Sequence, residues 1–201
     1  MEPRGHQPDV IAGGTLAGAV LAGGESRRMG TDKAHVRIGR EVLWRRQVRT
    51  LRAAGMNAIA VVRRPEQARL QAGTRTLTDL FSGVGPLAGV HVALATFAGA
   101  SHVAMLAVDM PRLEPEWFRW LGVRCAPGIG AVTRTRRGYE PLVAIYPVEA
   151  ERIARRRLEA GRGSLQDFVA ELVRARRLRV LTVEPDRILQ LANWNSPEDR
   201  K

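Results

Sequence analysis

Apolar residues along this chain alternate between short continuous runs and runs spaced three or four apart. Leu16 to Leu21 is a brief apolar run closed by glycines, and it reads as a first strand. Glu41 to Ala54 places Val42, Leu43, Val48 and Leu51 on one side of a helix, with Gly55 set to cap its end. Asn57 to Val62 and His102 to Val108 are unbroken apolar stretches, the mark of strands buried on both faces. Arg75 to Thr78 is a shorter strand. Gly85-Pro86 opens a helix running to about Phe97, with proline suited to the first turn. Pro115 to Leu121, Pro147 to Glu159 and Ser164 to Ala175 read as helices, the last with Ser164 as its N-cap. Ile129 to Thr133 and Leu142 to Tyr146 read as strands separated by a polar loop, Arg134 to Glu140, and Leu178 to Val183 as a late strand.

Strands alternating with helices predict an α/β protein with a mainly parallel sheet covered on both faces. The expected architecture is a three-layer α/β/α, Rossmann-like fold. The paired strands toward the end are expected to add an antiparallel edge. No internal repeat, low-complexity linker or break in composition divides the chain. Residues 1–15 therefore read as a flexible tail and 16–201 as a single domain.

At 201 residues and 45% hydrophobic content, the chain is long enough for one full core. No apolar stretch reaches the roughly 18 residues of a membrane span. The apolar segment from Val10 to Gly24 is glycine-rich, and it reads as tail plus first strand, not as a signal peptide. The single cysteine, Cys125, permits no internal disulfide and fits a reducing, cytoplasmic setting. No histidine or asparagine pattern surrounds it, so it reads as a small residue near a strand start. The net charge of +12 admits nucleic acid, an acidic membrane or a polyanionic small molecule as partner. The arginines are spread along the chain, however. Their densest groups, Arg155-Arg156-Arg157 and Arg174 to Arg179, lack interleaved aromatic residues and read as solvated surface. Neither a nucleic-acid nor a membrane partner is expected.

One position departs from this arginine habit. Of the 32 basic residues only Lys33 and the terminal Lys201 are lysines. Lys33 closes a glycine-rich segment that follows the first strand: Leu21-Ala22-Gly23-Gly24, then Arg28-Met29-Gly30, then Asp32-Lys33. A compact ammonium on a flexible stem, beside bare backbone amides, suits a triphosphate. The spacing is neither that of a Walker loop nor the dinucleotide fingerprint. An earlier Ile11-Ala-Gly-Gly14 has no arginine, aspartate or lysine following at the same distances.

Ligands of open parallel sheets sit outside the carboxyl ends of the strands. Two further candidates fall at such ends. Asp109 ends the strand His102 to Val108, where a carboxylate can hold Mg²⁺ against phosphates or cap the segment beyond Pro111. Asp79 precedes a glycine-rich helix start, Gly83-Val-Gly85-Pro-Leu-Ala-Gly89, where it can grip a nucleoside or cap the turn. Near the end of the chain, Asn193 and Asn195 sit two residues apart, on one side of the backbone if it is extended.

Taken in order, Leu21-Ala-Gly-Gly with Arg28-Met-Gly and Asp32-Lys33, Asp79 with Gly85-Pro-Leu-Ala-Gly89, Asp109-Met-Pro111 and Asn193-x-Asn195-x-Pro-Glu198 resemble the molybdenum cofactor guanylyltransferases. These lie within the nucleotide-diphospho-sugar transferase-like superfamily. Pro141-Leu-Val-Ala-Ile-Tyr146 also fits. The resemblance implies transfer of GMP from GTP to the terminal phosphate of molybdopterin, with Mg²⁺ as cofactor and pyrophosphate released. It implies nucleotide contacts from Leu21, Ala22, Gly23, Gly24, Lys33, Asp79 and Gly85, and a metal ligand in Asp109. Lys33, Arg28 and Asp109 would stabilise the transfer, while Asn193 and Asn195 would line the pterin side or complete the metal site. Where the family often has a nucleotide-binding asparagine after its second strand, this chain has Arg63 and Arg64: either Arg63 replaces it as a nucleotide contact, or the base is held differently. His35 is expected to be structural. The expected assembly is a monomer or weak homo-oligomer, handing its product to molybdoenzymes or their chaperones. Two alternatives stay open: a cytidylyltransferase or other small-molecule nucleotidylyltransferase, and a basic nucleic-acid-binding module on an inactive transferase fold. Gly23-Gly24 favours GTP, since the cytidylyl relatives tend to carry Ala-Gly there.

Overall fold

Strand pairing sets the frame that positions everything else. The structure, a computed structural model, describes residues 14–23, 32–67, 70, 73–78, 84–192 and 194. In chain order its strands are β1 (Leu16–Leu21), β2 (Arg37–Ile38), β3 (Glu41–Val42), β4 (Ile59–Arg63), β5 (Thr76–Thr78), β6 (His102–Ala107), β7 (Gly130–Thr135), β8 (Gly138–Pro147) and β9 (Leu178–Thr182). The helices are α1 (Leu43–Ala53), α2 (Leu87–Thr96), α3 (Pro115–Gly122), α4 (Glu151–Glu159) and α5 (Leu165–Arg174). Seven strands form one sheet in the order β5-β4-β1-β6-β8-β7-β9, and β2 and β3 make a separate small hairpin. All pairings in the large sheet are parallel except those of β8 with β6 and β7.

Alternate residues of each central strand feed two cores. Val20, Val61, Ala104 and Leu106 pack with Leu43, Leu51, Trp117 and Phe118 of α1 and α3. Ala19, Ala60, Val62, Val103 and Met105 pack on the other face with Leu87, Leu94, Phe168 and Leu172 of α2 and α5. Three layers result, as the pattern predicts. Small residues in β1 let helices approach closely: a Cβ at Gly18 would meet Leu51 and Met56 at 3.1 Å. Among the described residues no helix is long and apolar enough to cross a membrane.

Several boundaries differ from expectation, each for a local reason. Glu41 and Val42 belong to the β2–β3 hairpin, turned at Gly39 with φ +59°, so α1 starts only at Leu43. Gly55, with φ +102°, ends α1 as expected: its N–H reaches Arg52 O, and Met56 N–H reaches Leu51 O. The antiparallel strand lies inside the sheet rather than at its edge. The polar segment 134–140 is a tight hairpin, so β7 extends through Thr135 and β8 begins at Gly138, where φ is +126°. The hairpin docks through β8 onto β6, and β9 covers the outer side of β7. Pro147 pairs with His102 as the last residue of β8, and a 3-10 turn precedes α4. Ser164 caps α5, accepting from Asp167 N–H at 3.3 Å. Thr15, counted with the tail above, accepts from the backbone of Ser101 at 3.0 Å.

The arginine groups are less solvated than the sequence suggests. Arg155 pairs with Glu159 at the surface, but Arg157 is buried and bonded to Glu171 at 2.9 Å, tying α4 to α5. Cys125 is half-buried, its thiol within 3.5 Å of Leu121 O, and burial pushes that thiol up to about 12. That excludes a ready nucleophile.

Candidate active site

Strands β4, β1 and β6 are neighbours and run parallel, so their last residues share one edge of the sheet. The ends of β4 and β6 lie roughly 10 Å apart across β1. At this edge the structure brings together Leu21 to Gly23, Arg63 and Arg64, the turn carrying Lys33, Asp109 and Trp194.

The β1 end leaves the sheet with its ladder intact. Ala22 N–H donates to Val62 O at 2.9 Å, and Val108 N–H donates to Leu21 O at 3.0 Å. The segment after β4 then folds over it. Arg64 Nε donates to Gly23 O, and Gln67 Nε2 donates to Ala22 O at 3.3 Å. A Cβ at Gly23 would meet Arg64 Cγ at 3.3 Å, so the close approach favours glycine. Gly24 and Arg28 lie outside the described residues, as does the Lys33 ammonium. The Lys33 backbone opens a 3-10 turn, Lys33–His35. Asp32 holds that turn: its Oδ1 accepts from Ala34 N–H at 3.0 Å and its carbonyl from His35 N–H at 3.0 Å. The His35 side chain is exposed.

Arg63 is buried, with the residue 1% exposed, and its Nη2 is 2.5 Å from Asp32 Oδ2. Its Nε and Nη1 are buried without hydrogen-bond partners. β4 extends one residue further than the sequence pattern indicates, so Arg63 belongs to the sheet and points into the protein.

Asp109 follows β6 in a turn secured from α1. Gln47 is fully buried, and its Nε2 donates to Met110 O at 2.7 Å, with Ala107 O at 3.3 Å and Val108 O at 3.4 Å. Arg46 Nε adds a bond to Pro111 O at 2.7 Å. Asp109 O accepts from Trp194 N–H at 2.8 Å, which ties the chain between the two asparagines to the end of β6. Asn193 and Asn195 themselves lie outside the described residues, as does Asp79. Gly85, with φ +96°, is exposed just before α2, and no side chain caps that helix.

Asp109 suits Mg²⁺ by the chemistry of its donors. Among the described residues no group of three histidine, cysteine, aspartate or glutamate side chains stands ready as a cage. Mg²⁺ commonly takes one or two carboxylates and fills its octahedron with phosphate oxygens and water. A half-buried carboxylate at a strand end matches that donor set.

The roles of two residues are not legible in the sequence. Asp32 stands there only as a member of the motif. Gln47 carries a readable signal, a polar residue on the buried stripe of an amphipathic helix. Glu140 begins the edge where β8 starts, so it lies on the same side of the sheet as Asp109. Burial pushes its carboxyl above the usual range, partly offset by a 3.3 Å bond from Thr135 Oγ1. The pairing of β7 with β8 shifts between Val132 and Thr133, and Tyr146 Oη holds the displaced segment through Pro141 O at 2.7 Å. Such bulges re-aim side chains beside sites.

Comparison with known proteins converges on one group. Residues 18–177 match the family model described as MobA-like NTP transferase domain. A probable molybdenum cofactor guanylyltransferase of Opitutus terrae is 53% identical over 92% of this chain and 93% of its own length. The molybdenum cofactor guanylyltransferase of Syntrophotalea carbinolica is 32% identical over 76% of this chain and 73% of its own. The solved structure of molybdopterin-guanine dinucleotide biosynthesis protein A from Archaeoglobus fulgidus superposes with a TM-score of 0.71, covering 92% of this chain and 94% of that one at 24% identity. At that identity the superposition speaks for the fold.

Proposed function

This chain belongs to the MobA-like NTP transferase family, a group of nucleotidyltransferases, and from that premise we propose that it transfers GMP from GTP to the terminal phosphate of molybdopterin. One observation carries the proposal: the glycine end of β1, the Lys33 turn, Asp109 and the Trp194 segment meet at the shared carboxyl ends of the parallel strands β4, β1 and β6.

The backbone of Leu21, Ala22, Gly23 and Gly24 receives the nucleotide, with Asp79 and Gly85 bounding its nucleoside. Lys33 and Arg28 supply cationic charge to the phosphates. Asp109 would hold Mg²⁺, which when bound supplies further neutralisation of phosphate charge. Asn193 and Asn195 would line the pterin side or complete the metal site. A phosphate oxygen of molybdopterin attacks the α-phosphorus in line. The bond from that phosphorus to the bridging oxygen breaks, and pyrophosphate departs with the electron pair. A phosphate monoester is largely ionised at neutral pH, with its second pKa near about 6, so no general base is needed. The work of the protein is positioning and charge stabilisation. The catalytic unit is one domain over residues 16–201, acting in the cytoplasm as a monomer or weak homo-oligomer. Molybdoenzymes or their chaperones take the product.

The test is incubation of the protein with molybdopterin and MgGTP or MgCTP, following pyrophosphate and the dinucleotide. Formation of the guanine dinucleotide is expected. Preference for CTP, or no pyrophosphate with either, overturns the proposal.

A further inference from the structure

We infer, on the nucleotidyltransferase reading above, that Asp32 and Arg63 form a positioning pair that sets the Lys33 turn against the end of β4 and so governs phosphate binding without touching the nucleotide. One carboxylate is divided between two tasks. Its Oδ1 accepts from Ala34 N–H at 3.0 Å, closing the turn that Lys33 begins. Its Oδ2 lies 2.5 Å from Arg63 Nη2. Arg63 is the last residue of β4 and pairs in register with Thr78 of β5, so the anchor is rooted in the sheet. The turn is thereby referred to the same rigid frame as the glycines of β1.

The residue type at 63 argues that stability alone did not select it. The three residues before it, Ala60, Val61 and Val62, are apolar and buried. A fourth apolar residue would complete the strand at no electrostatic cost. Instead the chain buries a cation, with two of its three guanidinium nitrogens idle and one carboxylate to answer it. That burial is costly unless paired, so the carboxylate is held in one place. The neighbouring Arg64 and Gln67 clasp the Gly23 and Ala22 carbonyls, so residues after β4 organise both walls of the phosphate site.

The experiment compares Asp32→Asn, Arg63→Met and the double variant, each also in a Lys33→Ala background. It measures equilibrium affinity for MgGTP on folded protein and single-turnover pyrophosphate release. Each single variant is expected to lose about 10- to 100-fold in MgGTP affinity, the scale of a misplacement of about 1 Å. The double variant should be no worse than the weaker single, since both remove one contact. In the Lys33→Ala background either substitution should add less than about 3-fold. A merely structural role predicts lower melting temperatures with unchanged affinity, or an undiminished loss in the Lys33→Ala background, and either result overturns the pair's role. If Arg63→Met does not fold, Asp32→Asn decides alone, because its side chain is partly exposed. Wild-type protein that binds MgGTP but transfers nothing to molybdopterin sinks the proposed function and leaves the pair testable by affinity. Wild-type protein that binds no nucleoside triphosphate sinks both.

Discussion

Gln47 is expected to be the residue on which the Asp109 turn depends, and two substitutions separate its bond from its bulk. Gln47→Leu keeps nearly the same volume but removes the donor at 2.7 Å from Met110 O and the longer contacts to Ala107 O and Val108 O. Leaving a buried carbonyl unanswered costs about 1–3 kcal/mol. The substitution also removes Oε1, which is buried without a partner, and that returns about 1 kcal/mol. The net loss is then about 0–2 kcal/mol. Gln47→Glu keeps the shape and turns a double donor toward three carbonyl oxygens into a carboxyl. Burial raises such a carboxyl by about 3 pH units, so at pH 8 the variant should lose about 4 kcal/mol. The sign follows from proton binding. Between its unfolded and folded pKa values the introduced group holds its proton only in the native state, so stability falls as pH rises through that window. Urea unfolding of wild type and both variants at pH 5 and pH 8 is the assay. The gap between Gln47→Glu and wild type should shrink at pH 5, and both variants should lose turnover about 10-fold through a displaced Asp109. A gap that does not change with pH, or a Gln47→Leu variant with wild-type stability and turnover, would refute the reasoning.

Lys33→Ala should cut turnover about 100-fold, as for loss of one donor to developing charge, and wild-type turnover would remove its phosphate role. Asp109→Ala should abolish the Mg²⁺-dependent reaction, whereas retained activity with an unchanged metal titration would overturn the metal assignment. Glu140→Gln should raise the melting temperature at pH 8 and much less at pH 4. The native carboxyl is held above its usual range by burial, so stability is lost as pH rises and a neutral amide avoids that loss. Equal shifts at both pH values would contradict the burial. Cys125 should react with an alkylating reagent at pH 8 about three orders of magnitude more slowly than free cysteine, because its thiol sits near 12. Labelling at the free rate would show an accessible thiolate.

The layers were legible because burial imposes a period. His102–Ala107 reads as a buried strand from its unbroken apolar run and is buried throughout. The spacing in α1 named its inner face correctly through Leu43 and Leu51. Turn chemistry was partly visible: Gly55 and Ser164 cap their helices as their residue types foretell. The 134–140 hairpin was not visible, since polarity alone does not separate a loop from strands meeting at a two-residue turn. The pairing of Arg63 with Asp32 was not visible either, since sequence shows only that a cation follows an apolar run, not which way its side chain points.

From the order of residues alone come the alternation that demands a covered parallel sheet, the glycine, aspartate and lysine positions falling after its strands, and the family to which their spacing belongs. These follow from periodicity and local chemistry, which act over a few residues. Pairing Asp32 with Arg63, hanging the Asp109 turn from Gln47 and joining Trp194 to the end of β6 each link residues 31 or more apart in sequence. Such bonds exist only once packing has brought distant segments together, and for that reason only the folded molecule decides them.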